Sequence, residues 1–239
     1  MSGLWLSRVR LRRDAPLAAL ARLLVPEGGG PRAAASHHLV WALFADTPER
    51  RRDFLWREEA PGRFLILSAR QPVDPHGLFE LDPPKPFAPL LAAGDRLQFA
   101  LRANPVVARP ASHGQRGRRH DVVMDALRAV PAGPLRAEAR REAAVREGRL
   151  WLKRQGERHG FVADADVVVD GYDRVVVPRA AGARPVVFGV LDFHGVLTVE
   201  EPARFLAALA RGFGHARAFG CGLMLIRRAS PARVGVAAS

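Results

Sequence analysis

Tyrosine, lysine and cysteine are nearly missing from this chain: Tyr172 and Cys221 stand alone, and Lys85 and Lys153 are the lysines among 239 residues. A lone cysteine excludes an internal disulfide and any metal site built from several thiolates. No stretch nears the eighteen or so apolar residues of a membrane span. The opening Met1-Ser2-Gly3-Leu4-Trp5-Leu6 lacks the basic-then-apolar order of a secretory signal. The chain therefore reads as cytoplasmic, with no membrane partner. Acidic residues are also short, 24 against 37 Lys plus Arg, which leaves a net charge of +13 and points to an anionic partner. Because almost all of that charge is arginine, the chain offers flat guanidinium forks that pair with phosphates and guanine edges and stack on bases. Hydrophobic residues make up 48% of the sequence, ample for a packed core, and the length suits one large domain or two small ones.

Residues 4–11 alternate as a strand, with Trp5, Ser7, Val9 and Leu11 on one side and Arg8, Arg10 and Arg12 on the other. Residues 15–24 suit a short helix that Pro26-Glu27-Gly28-Gly29-Gly30-Pro31 ends. Residues 33–44 place Leu39, Val40, Leu43 and Phe44 at helical spacing beside Trp41, with His37 and His38 in the first turns. Strands over 53–57 and 63–69 flank the turn Ala60-Pro61-Gly62, followed by a weak helical turn near 73–77 and a short strand over 78–81. After Ala93-Gly94-Asp95, residues 96–102 alternate cleanly, with Leu97, Phe99 and Leu101 inward and Arg96, Gln98 and Arg102 outward. Residues 109–120 carry arginines, histidines and glycines without a core pattern, which predicts a mobile basic loop. A charged helix covers most of 136–158, its buried side marked by Ala144, Gly148, Trp151 and Leu152. Strands are expected over 161–169, 174–177, 186–190 and 193–199, with an arginine-bearing hairpin between Arg174 and Arg184, then a helix over 201–211.

Four glycines follow in the eleven residues from Gly212 to Gly222, spaced as two G-x-G pairs, before the apolar run Leu223-Met224-Leu225-Ile226. Such a backbone takes positive φ and approaches another molecule without Cβ interference. One or two glycines would suffice to turn a helix into a strand. Four, interleaved with His215 and Arg217, favour a surface made to be approached, for instance by a phosphodiester. The order helix, glycine loop, strand separates this stretch from dinucleotide and triphosphate loops, which lie between a strand and a following helix.

Each half thus runs strand, helix, strand, strand, helix, strand, and this predicts an α+β fold of tandem ferredoxin-like (βαββαβ) domains. The expected boundaries are 1–92, 93–229 and a tail over 230–239. Single RNA-binding sheets of this type carry paired aromatics on their central strands, and none are present here. Recognition then falls to charge, shape and loops.

The stretch 212–223, Gly-Phe-Gly-His-Ala-Arg-Ala-Phe-Gly-Cys-Gly-Leu, resembles the glycine signature that closes the CRISPR-associated RAMP proteins. In detail it is similar to the CasE-type endoribonucleases of type I-E Cascade. Further blocks fall in that family's order: His37 to Phe44, Arg51-Arg52-Asp53-Phe54-Leu55-Trp56-Arg57, Pro83-Pro84-Lys85-Pro86-Phe87, Leu101-Arg102-Ala103-Asn104-Pro105, Gly117-Arg118-Arg119 and Phe193-His194-Gly195-Val196-Leu197. The resemblance spans nearly the whole chain. It implies metal-independent cleavage of precursor CRISPR RNA at the repeat hairpin, and a product retained in a Cascade complex with its other subunits. No cofactor is implied.

Metal-free RNA cleavage uses the ribose 2′-OH as nucleophile and leaves a 2′,3′-cyclic phosphate and a 5′-OH, and an imidazole moves the proton. In the family the key histidine precedes by three residues the aliphatic position matched by Val40, which selects His37. Helical spacing agrees, since His37 shares a face with Val40, Trp41 and Phe44 while His38 is turned about one hundred degrees away. Both stay candidates. Relatives often place a tyrosine three residues before this histidine, where Ala34 stands here, so Ser36, His38, His215, arginines or backbone amides are left to assist. The RNA-binding candidates are Arg102, Arg118, Arg119, the hairpin residues Arg174, Arg179 and Arg184, and the glycine-loop residues Gly212, Gly214, His215, Arg217, Gly220 and Gly222. Arginines of the 136–158 helix read as a solvated face interleaved with Glu138, Glu142 and Glu147. His113, His120, His159 and His194 lack ligand partners at useful spacing, so no metal site is expected. Two other classes stay open: a catalytically silent RNA-binding subunit of a ribonucleoprotein, and an unrelated enzyme of the same fold that binds a nucleotide phosphate.

Overall fold

The computed structural model describes residues 3–14, 24–44, 47, 51–109, 118–179 and 182–229. The expected helix over 15–24, all but its last residue, the centre of the 109–120 segment and the tail over 230–239 lie outside these residues.

The first half forms around β1 (Leu4–Leu11), whose inward Ser7 and Val9 are buried while Arg8 and Arg10 are exposed. Helix α1 (Gly29–Ala42) follows, then β2 (Phe54–Ala60), β3 (Arg63–Ser68), β4 (Phe79–Leu81) and β5 (Lys85–Phe87). The sheet runs β2-β3-β1-β4, all antiparallel, and β5 pairs with the start of β1 beside β4. Val40, Phe44, Phe54, Trp56, Phe64, Ile66 and Phe79 close one core beneath α1. In place of the weak helical turn expected near 73–77 there is a turn in which Asp74 accepts from the backbone N–H of His76 and Phe79.

The second half begins with β6 (Arg96–Ala103), then β7 (Val106–Arg109), β8 (Arg118–Asp121), the short α2 (Val122–Ala126) and the long α3 (Pro134–His159). It continues with β9 (Phe161–Ala163), β10 (Val168–Val177), β11 (Val186–Val199), α4 (Pro202–Arg211), a 3-10 turn over Arg217–Phe219 and β12 (Met224–Arg228). Its sheet runs β10-β11-β6-β12, again antiparallel, with β9 on the end of β11. Counting only the four strands on each sheet's main path, in chain order, both sheets run 2-3-1-4.

Three expectations need correction. The two strands over 186–190 and 193–199 are one continuous strand, because Asp192 in its middle is paired with Arg102 and need not break it. The single strand over 161–169 is two, split at Asp164, Ala165 and Asp166. The ends of the basic loop are ordered as a ribbon in which Val106 to Arg109 pair with Asp121 to Arg118.

The halves meet along an apolar seam where Leu55, Leu67 and Leu223 are buried, with Leu4, Leu6, Phe87 and Leu225 packed around them. A second contact brings the start of α1 onto β10: a Cβ on Gly30 would lie 1.9 Å from the Val176 carbonyl oxygen, a distance only glycine tolerates. Cys221 is sealed beside the seam at 1% exposure, and burial pushes its thiol up to about 12.

Candidate active site at the seam of the two sheets

His37 is presented by α1 between the two halves. Val40, one turn on, is fully buried, which fixes that face of the helix against the sheet and leaves His37 half-buried at its edge. The ring packs against Trp41 and Phe219, with centroids 6.3 and 5.6 Å away. Phe219 in turn stacks on Phe188 of β11 at 5.5 Å. His37 Nδ1 lies 2.9 Å from the carbonyl oxygen of Ala218, in the glycine loop of the other half. A carbonyl only accepts, so Nδ1 carries the proton of the neutral ring and Nε2 is left with its lone pair. Burial lowers the His37 pKa from its ordinary 6.5; the Ala218 bond opposes that shift, and His38 and Arg52 add to it. At neutral pH the ring is therefore uncharged and able to accept a proton. His38, its ring centroid 5.3 Å away, is exposed.

The loop holds Ala218 in place through tight packing against protein. Phe213 N–H donates to the Gly222 carbonyl, Gly222 N–H to the Arg102 carbonyl, and His215 N–H to the Asn104 carbonyl. Asn104 is buried and donates through its side chain to the Gly189 carbonyl at 2.7 Å. At Gly220, φ is 78° and an added Cβ would press on Trp56 at 3.0 Å; at Gly222, φ is 93° and the obstacle is the Phe213 carbonyl at 2.7 Å. The expectation that all four glycines offer backbone to an incoming anion is therefore corrected for Gly220 and Gly222, which are buried and make room for protein. Gly212 and Gly214 are partly exposed, although their Cα positions also face Leu55 and Asn104.

The charged candidates separate into groups. Arg102 donates to Asp192 at 2.6 Å and lies 3.8 Å from Asp173, so its charge is already matched within the protein. Arg57 approaches Asp192 from β2 at 3.9 Å, an ion pair that also crosses between the halves. Arg174, Arg179 and Arg184 are exposed on and beyond the β10–β11 ends. Arg118 and Arg119 are exposed on β8, and Arg119, with Arg217, adds to the burial that lowers the His215 pKa. Arg217 donates to the Arg211 carbonyl at 2.6 Å. Arg52, which sequence reasoning missed as a site residue, has its pKa lowered by burial and then by Arg217, and it also acts on His37. Ala218 and Phe219 were missed as well. His37, Arg52 and Arg217 thus come together, Arg119 of β8 bears with Arg217 on His215, and the β10–β11 arginines lie exposed on and beyond the strand ends.

Two similar antiparallel sheets, meeting where a helix histidine is gripped by a glycine loop of the opposite half, define a class that sequence comparison identifies. The model of the CRISPR associated protein family matches residues 4–228, and the chain belongs to that family. Within it the chain is similar to the CRISPR-associated endoribonuclease Cse3 of Thermus thermophilus, with 35% identity over 186 residues, 74% of this chain and 81% of that one. It is also similar to the Cascade subunit CasE of Escherichia coli, with 25% identity over 79% of this chain and 88% of that one. The solved structure of Thermus thermophilus Cse3 bound to an RNA representing a pre-cleavage complex aligns with a TM-score of 0.65 at 27% identity, covering 94% and 99% of the two chains.

Proposed function

We propose that the chain is a CasE-type endoribonuclease that cleaves precursor CRISPR RNA at its repeat hairpin, without a metal, and keeps the product within a Cascade complex. The observation that carries this reading is the His37–Ala218 hydrogen bond, which leaves one imidazole nitrogen free in a neutral ring between the two halves. His37 Nε2 takes the proton of the ribose 2′-OH. The 2′-oxygen then attacks phosphorus, the bond to the 5′-oxygen breaks, and that oxygen is protonated by solvent, giving a 2′,3′-cyclic phosphate and a 5′-OH. Arg52 and Arg217 stabilise the charge of the pentacoordinate phosphorus. With Ala34 where relatives often have tyrosine, the Ala218 carbonyl does the orienting. His38, exposed, is the lesser candidate.

The same reading takes each half as a ferredoxin-like domain, divided as 1–92 and 93–229; the shared 2-3-1-4 strand order supports it. The exposed arginines of β8 and of the β10–β11 hairpin, Arg118, Arg119, Arg174, Arg179 and Arg184, bind the stem through phosphates and shape, since A-form RNA hides its major-groove edges. The test is incubation of the protein with repeat-hairpin RNA in EDTA. Cleavage that stops when the scissile nucleotide carries 2′-deoxyribose is expected. Tight binding without cutting would instead make the chain a silent RNA-binding subunit.

A further inference from the structure

A second concavity of about 620 Å³ opens where α3, α4 and the glycine loop converge, within the size range of ligand pockets. Its charged lining consists of Arg158, His159, Arg204, Arg211, His215 and Arg217, and no carboxylate lines it. The ordinary role of basic residues at helix ends is to offset the negative end of the helix dipole. Here that role is already filled: Arg204 donates to the Arg158 carbonyl at 2.7 Å at the end of α3, and Arg217 donates to the Arg211 carbonyl at the end of α4. Arg158 and Arg211 are exposed and have no carboxylate partner among the described residues. Arg211 instead lies 3.4 Å from His159 Nδ1. The His159 pKa is lowered by burial and then by Arg211, Arg158 and Arg204, of which Arg204 alone is ion-paired among the described residues, with Glu201.

We propose that this pocket binds the phosphodiester backbone of the unpaired RNA strand that runs away from the scissile bond. The proposal rests on the endoribonuclease reading. Position supports it: Arg217 lines the pocket and precedes by one residue the carbonyl that holds His37, which places one wall of the pocket next to the loop segment that grips the histidine. Shape supports it too, because a concavity of this size admits a single strand and not an A-form duplex. Guanidinium and imidazole planes are also the groups on which unpaired bases stack.

The test compares wild type with the double variant R158A/R211A, which removes two exposed side chains and keeps the backbone carbonyls that Arg204 and Arg217 use. Two probes are needed: a bare repeat hairpin, and the same hairpin with 2′-deoxyribose at the scissile nucleotide and ten unpaired uridines on each side. Wild type should bind the extended probe more tightly. The double variant should lose about five- to twentyfold in affinity for the extended probe, with its salt slope flattened by about 0.7 for each phosphate no longer neutralised. Its affinity for the bare hairpin and its melting temperature should not change. Equal loss on both probes would place these arginines on the hairpin surface, and wild-type binding of both by the variant would leave the pocket to an acidic protein partner; either result overturns the proposal. Wild-type protein that neither binds nor cuts hairpin RNA would instead sink the enzymatic reading itself.

Discussion

Two neighbourhoods share the glycine loop, and their histidines respond to the same force in different ways. Burial lowers the pKa of His37, His159 and His215 alike. His37 is also held by a carbonyl acceptor and aromatic rings, whereas the neighbours of His159 and His215 that bear on their titration are arginines. A fixed, neutral imidazole suits proton transfer. A neutral imidazole beside Arg158 and Arg211, which have no carboxylate partner among the described residues, suits an anion, whose arrival would favour its protonation. The direction of a pKa shift alone therefore does not distinguish a catalytic histidine from a binding one; the hydrogen-bond partner does.

The largest expected effect that sharpens this contrast is His37→Ala. It should slow single-turnover cleavage by about a hundred- to ten-thousandfold, the range for a general base, while hairpin affinity is retained. His38→Ala should stay within a few-fold of wild type. If the two variants were equally slow, the assignment of separate roles to the two residues would fail. Next comes Gly220→Ala, which forces a side chain onto a residue at φ 78° against Trp56. A cost of about 1–3 kcal/mol in denaturant melts is expected, with slower cleavage as Ala218 shifts. A variant as stable and as fast as wild type would separate the loop from His37.

The smallest effect is on pH. Because the folded His37 pKa lies below 6.5, cleavage should rise with pH through that lower value and be flat by neutrality. A rate that instead fell across that range would make His37 the acid. Stability follows the same sign. The unfolded chain takes up protons as pH falls through about 6.5, before the folded histidines do, so the chain should lose stability on acidification below that point. Urea melts at several pH values would read this.

Strand β1 was legible because its pattern is strict: Ser7 and Val9 inward, Arg8 and Arg10 outward. Helix α1 was legible from Ala33 on by its apolar spacing, which agreed with the family resemblance in favouring His37 over His38, whereas Gly29, Gly30 and Pro31 of its first turn read as a break. The β7–β8 ribbon was hidden because its facing pairs include Ala108 with Arg119 and Arg109 with Arg118, which have no apolar alternation to read. The grip on His37 was hidden by distance, since Ala218 lies 181 residues along the chain and contributes only its backbone. Arg52 stands in a block that resembles the family, yet its nearness to Arg217 exists only once the halves have docked.

The seam has a practical corollary. With a single thiol in the whole sequence, and that thiol walled in and reluctant to ionise, alkylation by a maleimide can proceed only during moments when the halves part. Labelling at Cys221 is thus a stopwatch for opening of the seam, and RNA laid across both halves should slow it.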